Sequence, residues 1–212
     1  MSETEHCLVL IKPDGVELSL TGEVLSHLER EDLFLVGAKA VQPSYNTVAL
    51  HYFEHSNKPF YDDIIKYLLG KYHNFSWIYA FVFAGIDACN TIRSIAGKTN
   101  PLDIDNGKKI VTLRQKYGKN IIVKDENNKE IFDSEGHVVV RYENVIHASF
   151  SDAAEYEVKL WFSPEEIILP YRKYDTVEKD GRLYWKKPFF SLFKERFGDV
   201  KTDLLCRDLL QK

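Results

Sequence analysis

The chain has 212 residues, with 44% hydrophobic and 13% aromatic side chains and 28 Lys+Arg against 32 Asp+Glu for a formal net charge of -4. That composition can fill a core of its own, and it excludes collagen-like or low-complexity chains and any general attraction to polyanions, so nucleic acid is not indicated as a partner. Three widely separated cysteines, Cys7, Cys89 and Cys206, in no C-x-x-C spacing argue against a disulfide framework or a thiolate zinc site. No secretory pattern opens the chain and no apolar run approaches the roughly 20 residues that cross a bilayer, so the expectation is a cytoplasmic protein with no membrane segment.

Cys7 to Ile11 reads as a buried strand stopped by Lys12-Pro13-Asp14-Gly15, which reads as a loop. Thr21 is placed to cap a helix that carries Val24, Leu25 and Leu28 at helical spacing. Leu33 to Val41 is a second strand, Val48 to Phe53 and Phe60 to Leu69 a helical pair, Trp77 to Ala84 a third strand, and Asp87 to Ala96 a helix closed by Gly97. Ile121-Ile122-Val123 and Val138-Val139-Val140 flank a polar stretch and predict a hairpin with a polar tip. Asn144 to Phe150 gives a further strand and Asp152 to Leu160 a helix. The order predicts an α+β fold, a βαββαβ antiparallel sheet with helices on one face, and no fixed-period repeat.

Past Pro170 the composition shifts to aromatic and basic. Residues 171–212 hold 11 basic and 7 acidic side chains, against 17 and 25 in residues 1–170. A main domain of residues 1–170, with an inserted hairpin at about 118–142, and a basic aromatic extension of residues 171–212 are expected. The extension's Phe189, Phe190, Leu192, Phe193 and Phe197 suit either a surface helix packed on its own chain or a contact with a neighbouring subunit or partner.

Several residues carry the chemistry. Gly97-Lys98-Thr99 imitates the end of a phosphate-binding P-loop, but the first glycine of that motif is replaced by Ile92 and Asn100-Pro101 stands where its helix must begin. His147 lies at the mouth of a strand with Ser149 two residues on, and Lys12 ends the first strand, where such sheets gather ligands. Arg93 and Arg114 offer guanidiniums and Thr99 a hydroxyl for phosphate oxygens. Glu157 on the following helix can orient the imidazole. His51 and His55, four apart, lack a third ligand and read as solvated rather than metal-binding.

Six segments, in order over about 160 residues, carry a resemblance: Leu10-Ile11-Lys12-Pro13-Asp14-Gly15-Val16, His51-Tyr52-Phe53, Lys58-Pro59-Phe60-Tyr61, Gly97-Lys98-Thr99-Asn100-Pro101, Asn144-Val145-Ile146-His147-Ala148-Ser149 and Glu155-Tyr156-Glu157-Val158-Lys159-Leu160-Trp161-Phe162. The chain from about Cys7 to Glu166 resembles the nucleoside diphosphate kinases. The resemblance implies a ferredoxin-like fold and reversible γ-phosphate transfer from a nucleoside triphosphate to a nucleoside diphosphate through a phosphohistidine, with Mg²⁺ on the nucleotide and a tetrameric or hexameric assembly. By it, His147 looks like the nucleophile, positioned by Ser149 and Glu157. Lys12, Tyr52, Arg93, Thr99 and Arg114 match positions at the phosphates or beside the nucleophile, Asn144 and Lys12 contacts to ribose, and Phe60 the aromatic under the base.

This sequence departs from the family's pattern in four places. Ile110-Val111-Thr112-Leu113-Arg114-Gln115 replaces a Pro-Gly-Thr-Ile-Arg-Gly stretch, which makes Arg141 the reserve for Arg114. The insertion separates Arg114 from His147 and leaves Val140, Arg141 or Tyr142 to close over the base. Phe150 stands where an acidic residue is usual, and the step to Glu157 is one residue short, which admits Glu155 in its place. The extension runs past the family's usual end. A weak nucleotide-binding module and a protein-directed histidine phosphocarrier are the alternative readings.

Overall fold

A computed structural model describes residues 4–29, 32–103, 111–168 and 175–198. The domain boundary expected near Pro170, Cys206 and the end of the extension lie outside these residues.

Strand β1 (Glu5–Ile11) is followed by a one-turn helix α1 (Pro13–Glu17), then α2 (Thr21–Leu28), β2 (Leu33–Val41), α3 (Tyr45–His51), α4 (Tyr61–Leu68), β3 (Ile78–Gly85) and α5 (Ala88–Ala96). After them come α6 (Leu113–Tyr117), β4 (Lys119–Ile122), β5 (Val140–Glu143), β6 (Ile146–Ala148), α7 (Ser151–Trp161), β7 (Thr176–Lys179), β8 (Arg182–Trp185) and α8 (Phe189–Phe197). The main sheet is antiparallel in the order β2-β3-β1-β6, the ferredoxin-like arrangement. It puts β1 at the centre, and the β1–β6 register sets His147 opposite Leu10.

Helices cover both faces of the sheet rather than one. Because successive side chains on a strand alternate, Leu8 and Leu10 pack with Val48, Ile65, Tyr156 and Trp161 on one side. Cys7, Val9 and Ile11 pack with Val24, Leu28, Cys89 and Ile92 on the other. Cys7 to Ile11, five successive residues of β1, are all fully buried, which a one-sided sheet would not permit.

Three local expectations are corrected. The segment after Lys12 is helical, since Pro13 at the first position fixes a helical φ and needs no N–H partner. Leu20, not Thr21, precedes the second helix, without a side-chain cap. Ser44 caps α3 by accepting from the Thr47 N–H, so that helix starts earlier than its apolar positions suggest.

The insertion is a β4–β5 hairpin whose tip holds two copies of one eight-residue turn. Asp125 Oδ1 accepts the N–H groups of Asn127 and Lys129, and Asp133 Oδ1 those of Glu135 and His137. Asn128 and Gly136 hold the positive φ of each turn, 62° and 83°. Val123, Ile131 and Val139, eight apart, close a ring in which Val123 N–H donates to Val139, Val139 to Ile131 and Ile131 to Val123. A short repeat is therefore present where none was expected.

The described part of the extension packs on its own chain. Phe189, Leu192 and Phe193 of α8 belong to the same apolar cluster as Tyr156 and Leu50, and the Trp185 indole donates to the Phe162 carbonyl at 3.1 Å. Arg196 ties α8 to Asp152 and to Glu54.

Candidate active site

The site is built around one backbone irregularity. Val145 has φ 58°, costly for a β-branched residue, and Ile146 N–H reaches back to the Asn144 carbonyl at 2.6 Å, a tight three-residue turn. The Lys12-Pro13-Asp14-Gly15 segment holds it. Asp14 Oδ2 accepts the Val145 N–H at 2.9 Å, and the Lys12 N–H donates to the Val145 carbonyl at 2.9 Å. A Cβ on residue 15 would stand 2.7 Å from that carbonyl, so only glycine fits.

This turn delivers Asn144 and then His147. The Lys12 ammonium donates to Asn144 Oδ1 at 2.7 Å, and Asn144 Nδ2 donates to the Thr99 carbonyl at 2.7 Å. Burial, with the Arg114 charge second, presses the Lys12 amine down to about 7. His147 Nε2 meets Glu157 Oε2 at 2.7 Å, and the same oxygen accepts the Ser149 hydroxyl at 2.5 Å. Ser149 in turn accepts the Leu8 N–H, which fixes it to β1.

With Glu157 as acceptor, Nε2 carries the proton and Nδ1 keeps its lone pair. Burial first, then the charges of Lys12, Arg114 and Arg93, hold His147 well below the usual imidazole range. Burial also raises Glu157. The outcome is a neutral imidazole with one nitrogen anchored.

Arg114, on α6, donates to the Ile146 carbonyl through Nε and Nη2 and to Gly97 through Nη1. Three of its five N–H groups are thus spent on aim and two remain for a ligand. Burial lowers it to about 10. The capping box of Thr112 and Gln115 starts that helix, so the lost glycines are replaced by helical geometry. Arg93 of α5 donates to the Ala148 carbonyl at 3.1 Å.

A row of rings leads away from the imidazole. His51 stands edge-on to His147 at 4.5 Å and to Tyr52 at 4.6 Å, Tyr52 faces His55 at 6.3 Å, and His55 meets Phe60 at 5.4 Å. Tyr52 is buried and Phe60, ahead of α4, is half-buried. His51 is not solvated: it is buried, the Trp161 indole donates to its Nδ1 at 3.2 Å, and burial pushes it down to about 3.

Two reserve assignments fail. Arg141 is ion-paired with Asp63 and Glu143 and stacks on Tyr72 at 3.9 Å, so its charge is already met by two carboxylates, whereas Arg114 bonds only backbone carbonyls and keeps its charge. Glu155 is paired with Lys159 at 2.7 Å, away from His147. Gly97 caps the end of α5 with φ 93°, which places Gly97-Lys98-Thr99 at the C-terminus of a helix and ends the P-loop reading. The sequence could not reveal Asp14, whose role depends on a carboxylate meeting a backbone N–H 131 residues away. Among the described residues, no helix is long and apolar enough to cross a membrane.

A family model described as nucleoside diphosphate kinase matches residues 5–167. A nucleoside diphosphate kinase of Listeria innocua is 33% identical over 173 residues, covering 81% of this chain and 98% of that one. One from Staphylococcus aureus strain MSSA476 is 36% identical over 164 residues, covering 77% and 91%. Among solved structures, the Borrelia burgdorferi nucleoside-diphosphate kinase with bound vanadate and ADP is similar at TM-score 0.57 and 26% identity, over 84% of this chain and 94% of that one. The Halobacterium salinarum enzyme in complex with CDP is similar at TM-score 0.58 and 28% identity, over 84% and 95%.

Proposed function

Because the chain belongs to the nucleoside diphosphate kinase family, we propose that it carries the γ-phosphoryl group of a nucleoside triphosphate to a nucleoside diphosphate on His147. The observation that carries the reading is the pairing of His147 Nε2 with Glu157, which leaves Nδ1 unprotonated in a pocket of positive charge.

Nδ1 attacks the γ-phosphorus, an N–P bond forms, and the bond from phosphorus to the bridging oxygen breaks as the nucleoside diphosphate leaves. The reverse step onto a second nucleoside diphosphate restores the imidazole. Such a transition state needs alignment and positive charge on its oxygens, supplied here by Lys12, Arg93 and the two open N–H groups of Arg114. Glu157 and Ser149 hold the imidazole and offset its charge while it carries the phosphoryl group. Asn144 and Lys12 contact the ribose, Tyr52 and Thr99 line the phosphate path, and the base stacks on Phe60 without base-edge readout.

Mg²⁺ enters on the nucleotide phosphates as part of the substrate and neutralises their charge. Val145 holds Asp14 Oδ2, and His147 and Ser149 hold Glu157 Oε2, so the ion is read as held by the nucleotide phosphates rather than by a protein oxygen cage. A cytoplasmic homo-oligomer, tetramer or hexamer, completes the reading, as does a division into a catalytic domain and an extension after residue 170. The edge strand β2, with Phe34 exposed, is a surface on which copies can meet.

Intact-protein mass after brief exposure to Mg²⁺ and a nucleoside triphosphate tests the reading. One acid-labile phosphoryl adduct, absent in His147→Ala and removed by a different nucleoside diphosphate, is expected. Nucleotide binding without an adduct overturns it in favour of a binding module, and an adduct that no nucleoside diphosphate discharges points to a protein-directed phosphocarrier.

A further inference from the structure

Phe150, directly after the His147–Ser149 strand end and at the N-cap of α7, is 55% exposed. Its ring is not idle: the Arg93 guanidinium carbon lies 3.3 Å from the ring centroid. Arg93 also donates through Nη1 to the carbonyl of Ala148. The guanidinium is therefore fixed by the two residues that flank Ser149, from the edge by a carbonyl and from the face by a ring.

These two contacts use one N–H group. Among the described residues, Arg93 Nε and Nη2 make no other protein hydrogen bond, so most of its donors stay available. The family's usual acidic side chain at this position, the N-cap of α7, would set a negative charge beside the guanidinium and offset it. An aromatic face holds the plane of a guanidinium while leaving its N–H edge and full charge intact. That charge is also one of those that keep the His147 imidazole unprotonated.

We propose that Phe150 is a positioning residue that stacks Arg93 in place, so that its free N–H edge faces the phosphoryl group in transfer at His147. The proposal rests on the kinase reading given above and deepens it by one residue.

The test is a double-mutant cycle on the full-length protein, with kcat and KM for nucleoside diphosphate phosphorylation, melting temperature and assembly size as readouts. Phe150→Ala and Phe150→Leu should each lower kcat/KM by about three- to thirty-fold, the range of a partly desolvated cation–π contact. The fall should lie mainly in kcat, while Phe150→Tyr restores activity to within about two-fold. In an Arg93→Ala background the Phe150→Ala change should have no further effect beyond about two-fold. The melting temperature and the assembly should not move, because the side chain is largely solvent-exposed.

Wild-type activity in Phe150→Leu, or a Phe150→Ala loss that persists without Arg93, overturns the proposal. A change of assembly size in step with the loss reassigns Phe150 to a contact between copies and also overturns it. Absence of a His147 phosphoryl adduct in the wild-type protein overturns the kinase reading itself, and the proposal with it. An adduct without coupling overturns the proposal alone.

Discussion

Arg141, on the returning strand of the insertion, donates to Asp63 on α4 at 2.8 Å, with both side chains about nine-tenths buried. Tyr72 donates to the same Asp63 oxygen, and Glu143 takes the other side of the guanidinium. The insertion is thereby bolted to the helix that follows Phe60, and through Glu143 to the neighbouring Asn144.

Removing one partner of that pair strands a buried charge. Arg141→Ala should cost about 3–5 kcal/mol in chemical denaturation, and the double variant Arg141→Met with Asp63→Asn clearly less, since the Asp63 charge is gone and Glu143 keeps Lys119 at 3.1 Å. Equal losses in the two proteins would show that the pair is not what holds the insertion.

Glu157→Gln keeps the shape of the anchor but removes the carboxylate that fixes the imidazole tautomer and offsets its charge. A fall in kcat of about 10- to 100-fold is expected, with nucleotide KM within a few-fold, as for loss of a positioned hydrogen bond in acid–base chemistry. Stopped-flow phosphorylation of the enzyme should slow by the same factor. Unchanged kcat would remove Glu157 from the mechanism.

The pH dependence should show two limbs. His147 is unprotonated down to well below its ordinary range, so the acid limb of kcat/KM lies below pH 6.5. Lys12, at about 7 in the free protein, loses its charge above that and sets the alkaline limb; in kcat, with phosphates beside the amine, that limb moves upward. Lys12→Arg should abolish the alkaline limb, whatever its maximal rate. The stability sign follows from the same shift. Between about pH 7 and the unfolded value near 10.4 the unfolded chain binds more protons at this residue than the folded one, so Lys12 makes stability rise with pH across that window. Titrating unfolding free energy in wild type and in Lys12→Met checks it.

The extension's helix is structural for the domain it covers. Phe193 is buried against Phe53 and Tyr156, and Phe193→Ala should cost about 3–5 kcal/mol through the cavity it leaves. A truncation after residue 168 should lower the melting temperature and expose the apolar face to dye binding. A stable, fully active truncated protein would contradict this.

Much of this was legible in the sequence. The strand at Leu33–Val41 and the helix ending at Gly97 follow from apolar runs and a C-terminal glycine, which are local signals. The motif residues converge because Lys12, Asn144 and Ser149 sit at strand ends around β1 and Arg93 and Glu157 lie on helices packed against it. What escaped was tertiary. α1 and α6 have five residues each, too few for periodicity to register. His51 reads as polar and exposed until Trp161, 110 residues on, supplies its partner. Arg141 reads as a free cation until α4 brings Asp63. The coverage of both sheet faces was hinted at by the unbroken apolar run Cys7–Ile11, whose lack of alternation marks a two-sided strand.

The left-handed residue at Val145 has an effect on parity. Along an unbroken strand, positions three apart point to opposite faces, so Asn144 and His147 would serve different sides of the sheet, and the amide or the imidazole would be lost to the cleft. One residue turned to φ 58° shifts the alternation by one step at that point. The amide that meets Lys12 and the His147 imidazole are thus presented to the same space, one from just before and one from within a strand of three residues.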